Sequence, residues 1–168
     1  NNNSHTFAGV RVMDCTGGLD NLNSGAGGIL LSFFGGANSY SVGNSHTFEK
    51  LDLINCTGGS SSSPDAWAGA GGALIRHHTG HSVSNSHRFA SVRAVGCTGG
   101  MQNQEAGVGG ILISYNAIKD SSANYHGFED VDVMSCTGDH RCNGAGGISV
   151  SYTGNGHSDN NAHDFTNV

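Results

Sequence analysis

With 168 residues, a formal net charge of −6 and only seven Lys plus Arg, the chain has no basic stripe to neutralise phosphates, which excludes nucleic acid as an expected partner. A glycine count of 28, a single proline and 36% hydrophobic residues exclude a helical chain and fit an ordinary packed globule poorly. No run reaches the roughly 18 apolar residues of a transmembrane helix, so no membrane span is expected, and regularly spaced Val, Ile, Leu and Phe set the chain apart from disorder.

The first predicted strand, Ser4-His5-Thr6-Phe7, follows Asn3 and returns as Ser45-His46-Thr47-Phe48, Ser86-His87-Arg88-Phe89, Tyr125-His126-Gly127-Phe128 and Ala162-His163-Asp164-Phe165. By subtraction the steps are 41, 41, 39 and 37 residues. A period of this size is the signature of a repeat architecture, in which each unit buries its apolar face only by stacking on its neighbours. The second predicted strand carries an apolar pair (Val10 and Val12, Leu51 and Leu53, Val92 and Ala94, Val131 and Val133) and leads into Cys-Thr-Gly at Cys15, Cys56, Cys97 and Cys136. After a stretch of variable length comes the third, a Gly-Gly strand beginning Gly27-Gly28-Ile29, Gly71-Gly72-Ala73, Gly109-Gly110-Ile111 and Gly146-Gly147-Ile148.

Alternation along each strand fixes which side chains share a face. His5 and Phe7 face together, as do Val10 and Val12, and Ile29 and Leu31; the phase slips by one residue between Phe7 and Val10 and again before Cys15. A flat strand cannot bury both sets, whereas a chain that turns a corner at each slip can. The second corner falls on Asp14, Asn55, Gly96 and Ser135, residues that tolerate turns. Each unit therefore predicts three short strands in one coil, and the whole an all-β parallel β-helix, a β-solenoid of about four coils of 37–41 residues. The rival is two coils of about twenty residues per unit, disfavoured because no half-period copy of the recurring residues exists. The chain is one segment, 1–168, with repeats at 4–44, 45–85, 86–124 and 125–161 and a partial fifth at 162–168. It begins without Met or a signal-peptide pattern, Asn3 to Val10 matches Asn161 to Val168, and no polar cap is visible, so it reads as a window of a longer array or a protomer that stacks end to end.

Stacking in register turns recurring positions into columns. Asn3, Asn44, Asn85, Asn124 and Asn161 form one beside the His strand, where amides can bond one another and turn backbone. His5, His46, His87, His126 and His163 form a second. Stacked imidazoles can bind metals or change charge near pH 6, but a line of rings does not enclose an ion, so a structural hydrogen-bonding role is expected, with loosening below about pH 6. Cys15, Cys56, Cys97 and Cys136 read as small apolar ladder residues, with disulfides between neighbouring coils geometrically open. Cys142, in Asp139-His140-Arg141-Cys142, offers a loop disulfide or a metal half-site of too few ligands. The outward column Arg11, Asp52, Arg93 and Asp132 alternates in sign. Sequons place possible N-glycosylation at Asn2 and Asn55. Phe33, Phe34, Tyr115 and Tyr152, with His77 and His78, read as a semi-exposed column that binds glycans or another chain, or else covers a loop.

The Phe-x-x-Val and Gly-Gly-Ile pattern resembles the repeats of polymorphic outer-membrane proteins and other right-handed β-helix surface proteins, a fold shared by pectate-lyase-like enzymes. The resemblance covers all four units and implies a secreted or surface-displayed adhesin or scaffold. No catalytic, cofactor-binding or metal set is assembled in the sequence: Glu129, Asp130 and Asp132 make a local acidic patch near Asp139, short of the groove and base a Ca²⁺-assisted polysaccharide lyase needs. The expectation is a structural, non-enzymatic repeat segment of an extracellular or cell-surface fibre that self-associates end to end. The alternatives are an adhesin that binds glycans through variable loops such as Ser60 to Trp67, and a polysaccharide lyase-like enzyme.

Overall fold

A computed structural model describes residues 2–18, 25–60, 69–101, 107–138, 145–153 and 157–168. Cys142 with its loop, and all of the Ser60 to Trp67 stretch beyond Ser60, lie outside them. The strands are β1 (Ser4–Ala8), β2 (Arg11–Met13), β3 (Ile29–Phe34), β4 (Tyr40–Val42), β5 (Ser45–Ile54), β6 (Ala73–Val83), β7 (Ser86–Val95), β8 (Ile111–Asp120), β9 (Tyr125–Met134), β10 (Ile148–Thr153) and β11 (Ala162–Thr166).

Two parallel sheets face each other. One runs β1-β5-β7-β9-β11, with β2 also on β5; the other runs β10-β8-β6-β3, with β4 also on β6. His5 pairs with His46, His46 with His87, His87 with His126 and His126 with His163, so each repeat is one coil and the two-coil rival is set aside. The chain is a parallel β-solenoid of about three turns rather than four. The first unit's strands pair on one side only and β10 ends at Thr153, so the outer units contribute partial turns.

Three corners per coil carry every non-extended backbone residue of one kind. Among the described residues, positive φ falls on the columns Gly9, Lys50, Ser91, Asp130 and Asn167; Asp14, Asn55, Gly96 and Ser135; and Gly43, Ser84, Ala123 and Asn160, all between 51° and 65°. The first column lies at the first phase slip and the second at the corner expected from the second slip. A left-handed residue costs a non-glycine about 1–2 kcal/mol, and the stacked coils hold it there. Asp14 N–H still donates to Ile54 O, Asn55 N–H to Val95 O and Gly96 N–H to Met134 O. At the first corner the ladder is uninterrupted enough in the inner coils that the first two expected strands merge into the ten-residue β5, β7 and β9.

The Gly-Gly segments are explained by close approach. A Cβ on Gly27 would lie 2.5 Å from Thr57 O, one on Gly71 2.6 Å from Thr98 O, and one on Gly109 2.7 Å from Thr137 N. The Cys-Thr-Gly segments, bridged Thr16 to Thr57 to Thr98 to Thr137, thus pack backbone against backbone on the start of the second sheet, and any side chain would wedge them apart. Between the sheets lies the core: Phe48, Phe89 and Phe128 stacked, with Leu51, Leu53, Val92, Val131, Ile75, Ile111 and Ile113. A second, smaller cluster was not foreseen: Leu74 and Leu112 are buried with Ala70 and Val108, so β6 and β8 are apolar on both faces near their starts.

Candidate functional site

The densest grouping of polar chemistry lies inside the coil. The rings of His5, His46, His87, His126 and His163 stack in one column with centroids 5.2, 5.3, 5.2 and 5.2 Å apart. His46, His87 and His126 are fully buried. Facing them from the second sheet is another column, Phe33, His77, Tyr115 and Tyr152, stacked at 4.5, 4.5 and 5.0 Å. This corrects the expectation of a semi-exposed aromatic column: Phe33, His77, Tyr115 and Tyr152 alternate inward, and only the neighbouring position, Phe34 at 52% exposure with a tilted His78, points out.

The two columns meet at His77, whose Nε2 lies 3.0 Å from His87 Nε2 while its Nδ1 lies 2.8 Å from Ser41 Oγ. Protons along this chain follow from donor supply. Asn44 Nδ2 donates to Ser41 Oγ at 2.9 Å, which leaves the Ser41 hydroxyl to donate to His77 Nδ1. His77 then carries its proton on Nε2 and donates it to His87, whose own proton sits on Nδ1 without a partner among the described residues. The reverse assignment leaves the Ser41 proton without an acceptor. A second proton on His87 Nε2 would place two N–H groups head to head, so both rings are built to stay neutral.

Burial acts in the same direction. It is the main cause that holds His77 and His87 well below the ordinary imidazole range, with neighbouring imidazoles adding to it, and it lowers His126 to about 3. Neither nitrogen of His126 has a hydrogen-bond partner among the described residues. Stacking is therefore what His126 supplies, whereas the other rings also bond: His5 Nδ1 lies 3.3 Å from His46 Nδ1, and His163 Nε2 lies 3.3 Å from the Tyr152 hydroxyl. The Tyr115 hydroxyl is likewise pushed well up by burial, and Tyr152 upward too.

Beside the histidines runs a one-way amide ladder. Asn44 N–H and Nδ2 both donate to Asn85 Oδ1 at 3.1 and 2.9 Å; Asn85 does the same to Asn124 at 3.0 and 3.1 Å, and Asn124 to Asn161 at 2.9 and 3.0 Å. Asn3 donates likewise to Asn44. The remaining amide protons go to the turn carbonyls of Ser41, Ser82 and Ser121. Every coil thus shows acceptors to one neighbour and donors to the other.

Cys56 and Cys97 are buried, Cys15 is exposed and Cys136 half-buried, and all four are free thiols. Burial raises the thiols of Cys56 and Cys97. Outside, Arg11, Asp52, Arg93 and Asp132 stand in register, but only Arg11 and Asp52 make an ion pair, 3.8 Å between well-exposed groups. The stronger outward contact was not expected: Arg88 bridges Glu49 and Glu129, two coils apart. Its signal was readable, since Glu49 and Glu129 occupy one repeat position and Arg88 stands two residues earlier on the coil between them. Glu129 is thereby engaged, and Asp130 accepts from Asn167 Nδ2 at 2.9 Å. Asn55 is exposed at its corner, where its Nδ2 donates to Asp14 Oδ1 at 3.2 Å; exposed Asn2 lies over Gly43.

No group of three or more metal-ligating side chains converges among the described residues, and no helix there is long and apolar enough to cross a membrane. No known protein family, curated protein or solved structure matches the chain.

Proposed function

We propose that the chain is a structural repeat segment of an extracellular or cell-surface fibre, stacking coil on coil into a rod. The observation that carries this reading is the one-way asparagine ladder. Because each coil offers amide acceptors on one side and donors on the other, it is complementary to a coil in the same orientation and not to an inverted one. Parallel strand pairing imposes the same polarity. Contacts of this head-to-tail kind do not close on themselves, and they extend into filaments. The recurring positions are also spent on packing: the Phe, His, Asn and Cys columns all point into the coil or its corner. Electron microscopy of the concentrated protein is expected to show filaments with an axial repeat on the order of 15–20 Å, three to four coils at about 4.8 Å each; compact monomers alone would refute end-to-end assembly.

A second reading, glycan binding, draws on one surface feature. Tyr40, 60% exposed, stacks on His81 at 4.5 Å and 4°, a flat aromatic platform of the kind that sugar rings cover.

A further inference from the structure

We propose that the cysteine ladder is a binding site for a soft, two-coordinate cation such as Cu(I), held between the sulfurs of adjacent coils. The basis is a repeated rotamer. Cys56 Sγ lies 3.3 Å from Ile54 O and 3.7 Å from Val12 O; Cys97 Sγ lies 3.6 Å from Val95 O and 3.3 Å from Leu53 O; Cys136 Sγ lies 3.4 Å from Met134 O and 3.5 Å from Ala94 O. Cys15 Sγ makes the corresponding contact to Met13 O at 3.2 Å. Each thiol therefore donates to the carbonyl two residues before it, and in the three later coils also approaches, in the coil before, the carbonyl that pairs with the residue three before it. The thiols follow one repeated arrangement, and strand register sets neighbouring sulfurs about one coil spacing apart, about 4.8 Å.

That separation is too long for sulfurs already bonded to each other and close to twice a metal–thiolate bond of about 2.3 Å, or about 4.6 Å. A cation midway between two sulfurs would have linear two-fold sulfur ligation, with the side chains closing on it by a few tenths of an ångström (about 4.8 Å against about 4.6 Å or less). Oxygen- and nitrogen-seeking ions that need four or six ligands find no set here, whereas soft ions bind thiolate strongly at low coordination number. On entry of one ion two S–H bonds break, two metal–sulfur bonds form and two protons leave to solvent, with no electron transferred. One monovalent ion between two thiolates leaves one negative charge. Three ions strung along all four sulfurs leave the same single charge spread over the column, so filling the ladder is favoured over filling one pair. The backbone N–H of Cys97, 3.3 Å from Cys136 Sγ, points at that charge. Burial, which raises the Cys56 and Cys97 thiols, makes deprotonation without a strongly bound metal unfavourable and so sharpens selection for soft ions.

The test is anaerobic titration of the reduced full chain, carrying Cys142→Ser, with Cu(I) at neutral pH against excess imidazole, followed by gel filtration, metal analysis and X-ray absorption. The expected result is up to three copper ions per chain, each with two sulfur neighbours and no nitrogen shell. The Cys56→Ser, Cys97→Ser double variant, whose remaining thiols stand three coils apart, should lose that copper. Nitrogen neighbours in the spectrum of the parent chain would overturn the proposal even if the double variant failed to fold. Copper retained undiminished by a folded double variant, or native material whose ladder thiols are already disulfide-bonded, would overturn it as well.

Discussion

Acidification should destabilise this solenoid through its interior histidines, and the size of the effect follows from their burial. In the unfolded chain each imidazole takes up a proton around pH 6.5, whereas His77, His87 and His126 stay neutral in the folded chain to much lower pH, His126 to about 3. Below pH 6.5 the unfolded state therefore binds more protons, and stability falls with decreasing pH. It is flat above about pH 7.5. His126 forfeits about 1 kcal/mol at pH 6 and about 2 kcal/mol at pH 5. His77 and His87, held low by the same burial, add losses of the same sign over the same range. Urea unfolding at half-unit pH intervals measures the profile. His126→Phe isolates one contribution: the ring keeps its place between His87 and His163, and two unpartnered buried nitrogens are removed. Any overpacking cost of the larger ring applies equally at both pH values. The difference in stability between pH 8 and pH 5 should therefore shrink by about 2 kcal/mol relative to the parent. A flat parent profile, or a His126→Phe profile parallel to it, would refute the reasoning.

Two further substitutions test the ladder and the waist of the coil. Asn85→Ala removes the acceptor of Asn44 N–H and Nδ2 and the donor to Ser41 O; with about 1–3 kcal/mol for each buried group left unpaired, chemical denaturation should show a loss of about 3–5 kcal/mol, and a loss under 1 kcal/mol would deny the ladder its structural weight. Gly71→Ala puts a methyl 2.6 Å from Thr98 O, whereas Gly9→Ala meets nothing within 4 Å and carries only its left-handed backbone. The first should cost several kcal/mol or prevent folding and the second about 1–2 kcal/mol, as read from thermal midpoints.

The columns were legible because a repeat exposes its own register: once the Asn, His, Phe and Cys positions recur together, alternation states which of them face inward. The second corner was legible for the same reason, since the phase slip before Cys15 demands a turn and Asp14, Asn55, Gly96 and Ser135 all accept one. The third corner was not, because neither phase slip falls on the column Gly43, Ser84, Ala123 and Asn160, and Ala123 carries no turn signal. Nor was the meeting of His77 with His87. Those residues lie on different sheets, and their contact depends on how wide the coil is, which no spacing within one strand reveals. Phe33 and its column continue the inward phase of Ile29 and Leu31, which the grouping of Phe33 with Phe34 in one semi-exposed column passed over. The buried outer cluster of Leu74 and Leu112 was hidden because their counterparts are the half-exposed Leu30 and the polar Ser149.

Interior and exterior columns differ in period, and the difference decides how copies of the rod would register. Phe, His, Asn and Cys repeat in every coil, so a partner displaced by one whole coil meets the same interior. The outer Arg11, Asp52, Arg93 and Asp132 alternate with a period of two coils, so such a displacement sets like charges together. The single ion pair there is long and formed by groups 61% and 40% exposed, which makes each contact worth a fraction of a kcal/mol, against several kcal/mol for a ladder layer of paired amides and stacked rings. Register along the coil is thus strictly set from inside, and the choice among coils only weakly set from outside. Assembly through these faces would keep the polarity and the 4.8 Å layer while tolerating slips of a whole coil, and raising the salt concentration should loosen the second without touching the first.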